Sequence, residues 1–188
     1  MRERVGLKGR LRAWIFTPDP DAAIVEGMEW AQGWRRDEQG LWVAVVERDN
    51  AFLNQGLQAI LNRYANIGGP PAVPSRIAAS SDNTAVTATS TTFGGTFRSS
   101  TMNATFPSLS AQTLSFQADF TKGSGAGQID FSVRKLGITN ASTDAAGGAQ
   151  DIIGGAGSSP YSEPLTIDLT STTSFTFRPQ IDVTLTAV

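Results

Sequence analysis

Histidine and cysteine are both absent from this 188-residue chain. The missing histidine removes the side chain that most often serves near neutral pH as general base, proton shuttle and metal ligand, so Ser-His-Asp, Cys-His and His-metal chemistries are excluded. Without cysteine there is no disulfide framework, thiolate nucleophile or zinc–thiolate site, and packing and strand pairing must hold the fold. Charge of either sign is scarce: 15 basic residues face 17 acidic ones for a net charge of -2, which gives no general electrostatic case for a nucleic-acid binder. No apolar run approaches the roughly 18 residues of a membrane-spanning helix, so no membrane partner is expected.

What is present divides into two textures. All four tryptophans, Trp14, Trp30, Trp34 and Trp42, fall in the first quarter, whereas Thr, Ser, Ala and Gly dominate from about Gly68 onward. Gly68, Gly69, Pro70, Pro71 and Pro74 disfavour helix and central strand alike and mark a connection. The expected organisation is an N-terminal hairpin and helix over 1–67 that acts as a docking region, a Pro/Gly connection over 68–75, and a Thr/Ser-rich antiparallel β domain over 76–188.

In GLKGRLRAWIF, Leu7, Gly9, Leu11, Ala13 and Ile15 alternate with Lys8, Arg10, Arg12, Trp14 and Phe16, the period of a half-buried strand with a basic outer face. The β-branched run LWVAVVERD follows the turn signal Asp37-Glu38-Gln39-Gly40 and reads as the return strand. Between them, the stretch holding Trp30 and Trp34 fits strand or irregular chain. From Asn50, Phe52, Leu53, Leu57, Ile60, Leu61 and Tyr64 recur at three- and four-residue spacing, which predicts a helix capped by Asn50 or Asn54 and ended by Gly68 or Gly69.

Downstream, short strands are predicted over 76–79, 84–92, 95–105, 113–121, 128–139, 164–169 and 174–187, the last interrupted by Pro179. That number suits an antiparallel β-sandwich or barrel-like domain. The Gly/Ala/Ser-rich stretch 142–160 is predicted to be a surface excursion. The fold class is therefore mainly β, with an N-terminal hairpin and one helix.

Candidate chemistry is sparse. The neighbouring acids Asp19/Asp21, Asp37/Glu38 and Glu47/Asp49 read as turn residues, because carboxylate catalysis needs a set separation across a cleft. Gly123-Ser124-Gly125-Ala126-Gly127 lacks the Lys-Ser/Thr of a phosphate-binding loop and is predicted to be a hairpin turn. No catalytic residue, cofactor or metal site is expected. The candidate docking residues are Arg10, Arg12, Trp14, Trp30 and Trp34, since Arg and Trp concentrate binding energy at interfaces. For the tryptophans, core packing is the first reading and interface anchoring its rival.

Taken in order, FLNQGLQAIL at 52–61, the Pro/Gly connection, RIAASSDNTAVTATSTTFGG at 76–95, TLSFQADFT at 113–121 and the terminal TSFTFRPQIDVTLTAV resemble a class of small, β-rich, tail-associated bacteriophage virion proteins. The likeness is one of order and texture over most of residues 50–188. It implies a non-enzymatic subunit made in the host cytoplasm and assembled into the virion. Its partners would be copies of itself and other phage structural proteins, not nucleic acid. The alternatives are a capsid decoration protein and a receptor- or carbohydrate-binding module.

Overall fold

A computed structural model describes residues 5–26, 30–31, 33–52, 75–84, 94–139, 152–156 and 166–187. The chain is mainly β and antiparallel. β1 (Val5–Thr17) is followed by a single 3-10 turn (Pro20–Ala22) and the short strands β2 (Ile24–Glu26), β3 (Trp30–Ala31) and β4 (Arg35–Arg36). β5 (Trp42–Phe52) returns beside β1, with Gly9 opposite Asn50 and Thr17 opposite Trp42, so the expected hairpin partners do pair. β6 (Arg76–Ser80) and β7 (Phe97–Thr101) come next, then β8 (Ser108–Ser110), β9 (Thr113–Gln117), β10 (Phe120–Lys122), β11 (Gln128–Ile129) and β12 (Lys135–Thr139). β13 (Ile152–Ala156), β14 (Thr166–Asp168) and β15 (Thr176–Ala187) complete the order.

One large sheet runs β11-β10-β15-β1-β5-β13-β12-β6-β7, while β9 lies beside β15 and carries β8, and β2 pairs separately with β14. The two ends of this sheet meet. Gly127 N–H donates to the Ser99 carbonyl at 3.0 Å, the Ser100 hydroxyl to the Asp119 carbonyl at 2.6 Å, and Met102 bridges to Ala118. The sheet thus curls into a barrel-like sandwich, and both edges find hydrogen-bond partners that would otherwise be left to solvent.

Alternation decides what fills it. Leu11, Ala13 and Ile15 of β1 point inward with Val46, Phe116, Phe177 and Ile181, and meet Ile77, Ala79, Leu136 and Ile138 from the opposite half. Phe120 and Phe177 pack with ring centroids 6.2 Å apart. Burying side chains of this size contributes roughly 1.5–3 kcal/mol each, the main term opposing chain entropy.

Several expectations are corrected. The helix predicted from Asn50 does not begin there: Asn50, Ala51 and Phe52 continue β5, because Ala51 and Phe52 pair with Gly155 and Gly154 of β13. The remainder of that segment, from Leu53 to Pro74, lies outside the described residues, as do residues 85–92 of the strand expected over 84–92. Within the supposed excursion 142–160, residues 152–156 form a strand between β12 and β5. The 123–127 loop is not a hairpin turn, since β10 and β11 on either side of it pair in parallel. Pro179 does not break β15, which passes through it where its neighbour changes from β9 to β10. The two textures also share one sheet, for β1 pairs along its length with β15, from Val5 opposite Ala187 to Phe16 opposite Thr176.

Candidate docking face

Because Leu11, Ala13 and Ile15 face the core, Arg10, Arg12, Trp14 and Phe16 face outward. The same alternation turns Thr176, Arg178, Gln180, Asp182 and Thr184 of β15 outward against Phe177 and Ile181 inward. Strands β9, β15, β1 and β5 therefore present one continuous outer face.

A polar ladder crosses it. Arg178 grips Asp119 through two parallel bonds, Nε to Oδ1 at 2.6 Å and Nη2 to Oδ2 at 2.7 Å. Asn103 Nδ2 donates to Asp119 Oδ1 at 3.3 Å and to Gln117 Oε1 at 3.0 Å. Gln117 then donates to Gln180 at 3.0 Å, and Gln180 to Asp182 at 2.9 Å. At the far end the hydroxyls of Thr113 and Thr184 meet at 2.8 Å. A ladder of this kind fixes side chains that would otherwise sample many rotamers, so the face is already ordered before anything binds.

On β1 and β5, Arg10, Arg12 and Glu47 are paired. Glu47 lies between Arg10 and Arg12, accepting from Arg12 Nε at 2.6 Å and from Arg10. The Arg12 guanidinium sits 5.7 Å from the Trp14 ring centroid, and Arg178 lies 5.4 Å from that of Phe16. The two guanidinium charges of β1 thus share one carboxylate from its neighbour.

These pairings also set protonation. Burial alone would raise the Glu47 carboxyl, but hydrogen bonding to Arg12 and the charges of Arg10 and Arg12 outweigh it and lower the pKa. Burial likewise opposes ionisation of Asp119, and the Arg178 and Asn103 hydrogen bonds with the Arg178 charge prevail, again lowering it. Both carboxylates stay ionised near neutrality, so neither stands ready as a general acid. What the face can do is bind: it offers two aromatic rings, guanidinium groups and amides on a rigid support.

Of the five candidate docking residues, Arg10, Arg12 and Trp14 come together here. Trp34 does not, because it packs partly buried against the core. Trp30 lies opposite Glu47 in the register of β5, and only its backbone is described. Trp42, at the rim, has the Arg36 guanidinium 5.1 Å from its ring. Reading β1 alone missed Glu47, Asp119, Arg178 and Gln180. The outward parity of Arg178 and Gln180 is visible in TFRPQID, but the pairing of the last strand with the first is not.

Of the neighbouring acids in the sequence, Asp37 does organise a turn, accepting from the Gln39 and Leu41 N–H groups at 2.9 and 2.8 Å. Glu47 and Asp49 lie in β5 instead. Among the described residues no group of three or more Asp or Glu side chains is placed to hold a metal ion. No described helix is long and apolar enough to cross a membrane. Comparison with family models, with curated proteins and with solved structures found no match to this chain.

Proposed function

We propose that this chain is a non-enzymatic structural subunit of a bacteriophage particle, tail-associated, held in place by copies of itself and by other virion proteins through the outer face of β9, β15, β1 and β5. It would be made in the host cytoplasm and act only once assembled. The observation that carries the reading is the gathering of Arg10, Arg12 and Trp14 on one half-exposed sheet face whose Glu47 and Asp119 carboxylates are committed to ion pairs. The order and texture shared with small tail-associated virion proteins supply the class of partner. Large rings and guanidinium groups on an ordered support give an interface anchors without much further loss of side-chain entropy.

The test must separate docking from folding. Replacing Arg10 and Arg12 by Glu alone would crowd three carboxylates around position 47, so the charge is reversed as a set: Arg10→Glu and Arg12→Glu with Glu47→Arg. The triple variant should unfold at nearly the parent temperature, yet be missing from purified particles when it is the only copy supplied. Normal occupancy of the triple variant in particles would overturn the docking role of this face. A capsid decoration protein is the alternative within the same class, and labelling the subunit in intact particles would place it on the tail or on the head.

A further inference from the structure

At one end of the docking face the turn after Asp37 folds over the outer surface and leaves an open cleft of about 470 Å³. Phe16 and Leu41 give it an apolar floor, and Asp37, Glu38, Thr176 and Arg178 surround them. We infer that this cleft binds a carbohydrate, one or two sugar rings at the end of a glycan. The inference goes beyond the structural role proposed above: it shares Phe16, Thr176 and Arg178 with that face and adds the turn from Asp37 to Leu41.

Two anchors are fixed in advance. Asp37 Oδ1 is held by the N–H groups of Gln39 and Leu41, and the turn is closed by Asp37 N–H to the Leu41 carbonyl at 2.9 Å. Arg178 is held from behind by its two bonds to Asp119. Neither group needs to be ordered by a ligand, which lowers the entropic cost of binding.

The remaining hydrogen-bonding capacity identifies the ligand class. Asp37 Oδ2, the Glu38 carboxylate, the Gln39 amide, the Thr176 hydroxyl and Arg178 Nη1 have no hydrogen-bond partner among the described residues. These are acceptors and donors in one small space. A cationic side chain would satisfy only the carboxylates, and an anion only the guanidinium, amide and hydroxyl. A sugar hydroxyl donates and accepts at once, so a polyhydroxylated ring can use both sets. The planar carboxylate and guanidinium groups suit paired bonds to neighbouring hydroxyls, while Leu41 and the part of Phe16 not covered by Arg178 offer an apolar surface to the C–H groups of the ring. The volume lies within the roughly 300–1,000 Å³ usual for small-ligand sites. Openness to solvent limits affinity, so dissociation constants of roughly 1 mM are expected.

The test uses the full chain labelled with 15N, titrated with neutral hexoses, N-acetylhexosamines, uronic acids and their disaccharides to roughly 50 mM, well above that dissociation constant. Argininamide and inorganic phosphate serve as the cationic and anionic controls. At least one sugar should give saturable shifts in the amides of Phe16, Asp37 to Leu41 and Thr176 to Arg178, with little response elsewhere. The Glu38→Ala and Thr176→Val variants, shown folded by the same spectra, should each weaken that binding about tenfold. If no sugar shifts these amides, or if argininamide or phosphate shifts them and sugars do not, the assignment is overturned. Shifts that persist unchanged in both variants overturn it as well. None of these results bears on particle assembly, which is read by incorporation.

Discussion

Lys135 shows how much one pair of residues decides. Its side chain is 3% exposed, and its ammonium donates to Asp82 Oδ2 at 2.5 Å and to the Thr84 hydroxyl at 2.8 Å. Burial would raise the Asp82 carboxyl, but the bonds from Lys135, from Thr84 and from Gly94 N–H overcome it and hold the pKa at about 2. The unfolded chain should titrate near 3.8, so it binds more protons than the native state between these values. The resulting stabilisation, about 2 kcal/mol, is fully present above pH 3.8 and is lost as pH falls toward 2. Thermal melts from pH 5 down to pH 2 should therefore drop more steeply in the parent than in Asp82→Asn. Asp82→Ala should cost roughly 3–5 kcal/mol at neutral pH, because it removes the carboxylate from a buried ion pair. Equal acid limbs in parent and variant would show that this carboxylate is not the group responsible. Gly95 guards the same loop. Its φ is +71°, and a Cβ there would lie 2.7 Å from Ser81 Oγ and 2.8 Å from the Asp82 nitrogen. Gly95→Ala should destabilise by about 1–3 kcal/mol in urea unfolding, since it combines a left-handed backbone with a collision against the segment that presents Asp82.

At the scale of elements, alternation in β1 is the feature on which both core and docking face rest. Ile15 is fully buried and its neighbour Phe16 looks outward beneath Arg178. Ile15→Ala should cost about 2–5 kcal/mol, and Phe16→Ala about 1 kcal/mol or less, despite removing the larger side chain. Chemical denaturation of the two variants side by side checks the ordering, and a larger loss at Phe16 would reverse the assigned faces. The faces of β1 and β15 were legible from sequence, because a half-buried strand writes its period of two directly into residue order. β8 was not. Its hairpin to β9 turns at Ala111, with φ of 50°, where a glycine or asparagine would have signalled the turn. β13 was hidden for a related reason: Ile152-Ile153-Gly154-Gly155-Ala156 reads as flexible chain, and only the strands on either side of it supply a reason to extend.

For the whole molecule, the arrangement that matters most is β1 lying between β15 and β5. β1 thereby becomes a central strand, and the sheet cannot close until β1 and β15, far apart in sequence, have met. Deleting residues 1–17 should abolish the cooperative transition and the near-ultraviolet signal of the remaining chain, because β5 and β15 would each lose a full-length partner. A truncated chain that still melted cooperatively would show that the sheet re-forms without β1. Closure over such sequence distance also predicts folding in milliseconds to seconds, measurable by stopped-flow refolding, as loop entropy must be spent before the pairing is gained.

The sequence by itself determined the class of fold and the inner and outer faces of its longest strands, because side-chain alternation and turn formers act locally. It also determined that any function must proceed without histidine or cysteine. Only the tertiary structure decided that Glu47 would sit between Arg10 and Arg12, that Asp119 would hold Arg178, and that Trp34 would turn to the core while Trp14 stayed outside. The cleft beside Phe16 and Arg178 belongs to the same category. These are meetings of residues far apart in the chain, fixed by which strands become neighbours. That choice is made by the best burial of all the apolar faces together, a property no single segment carries.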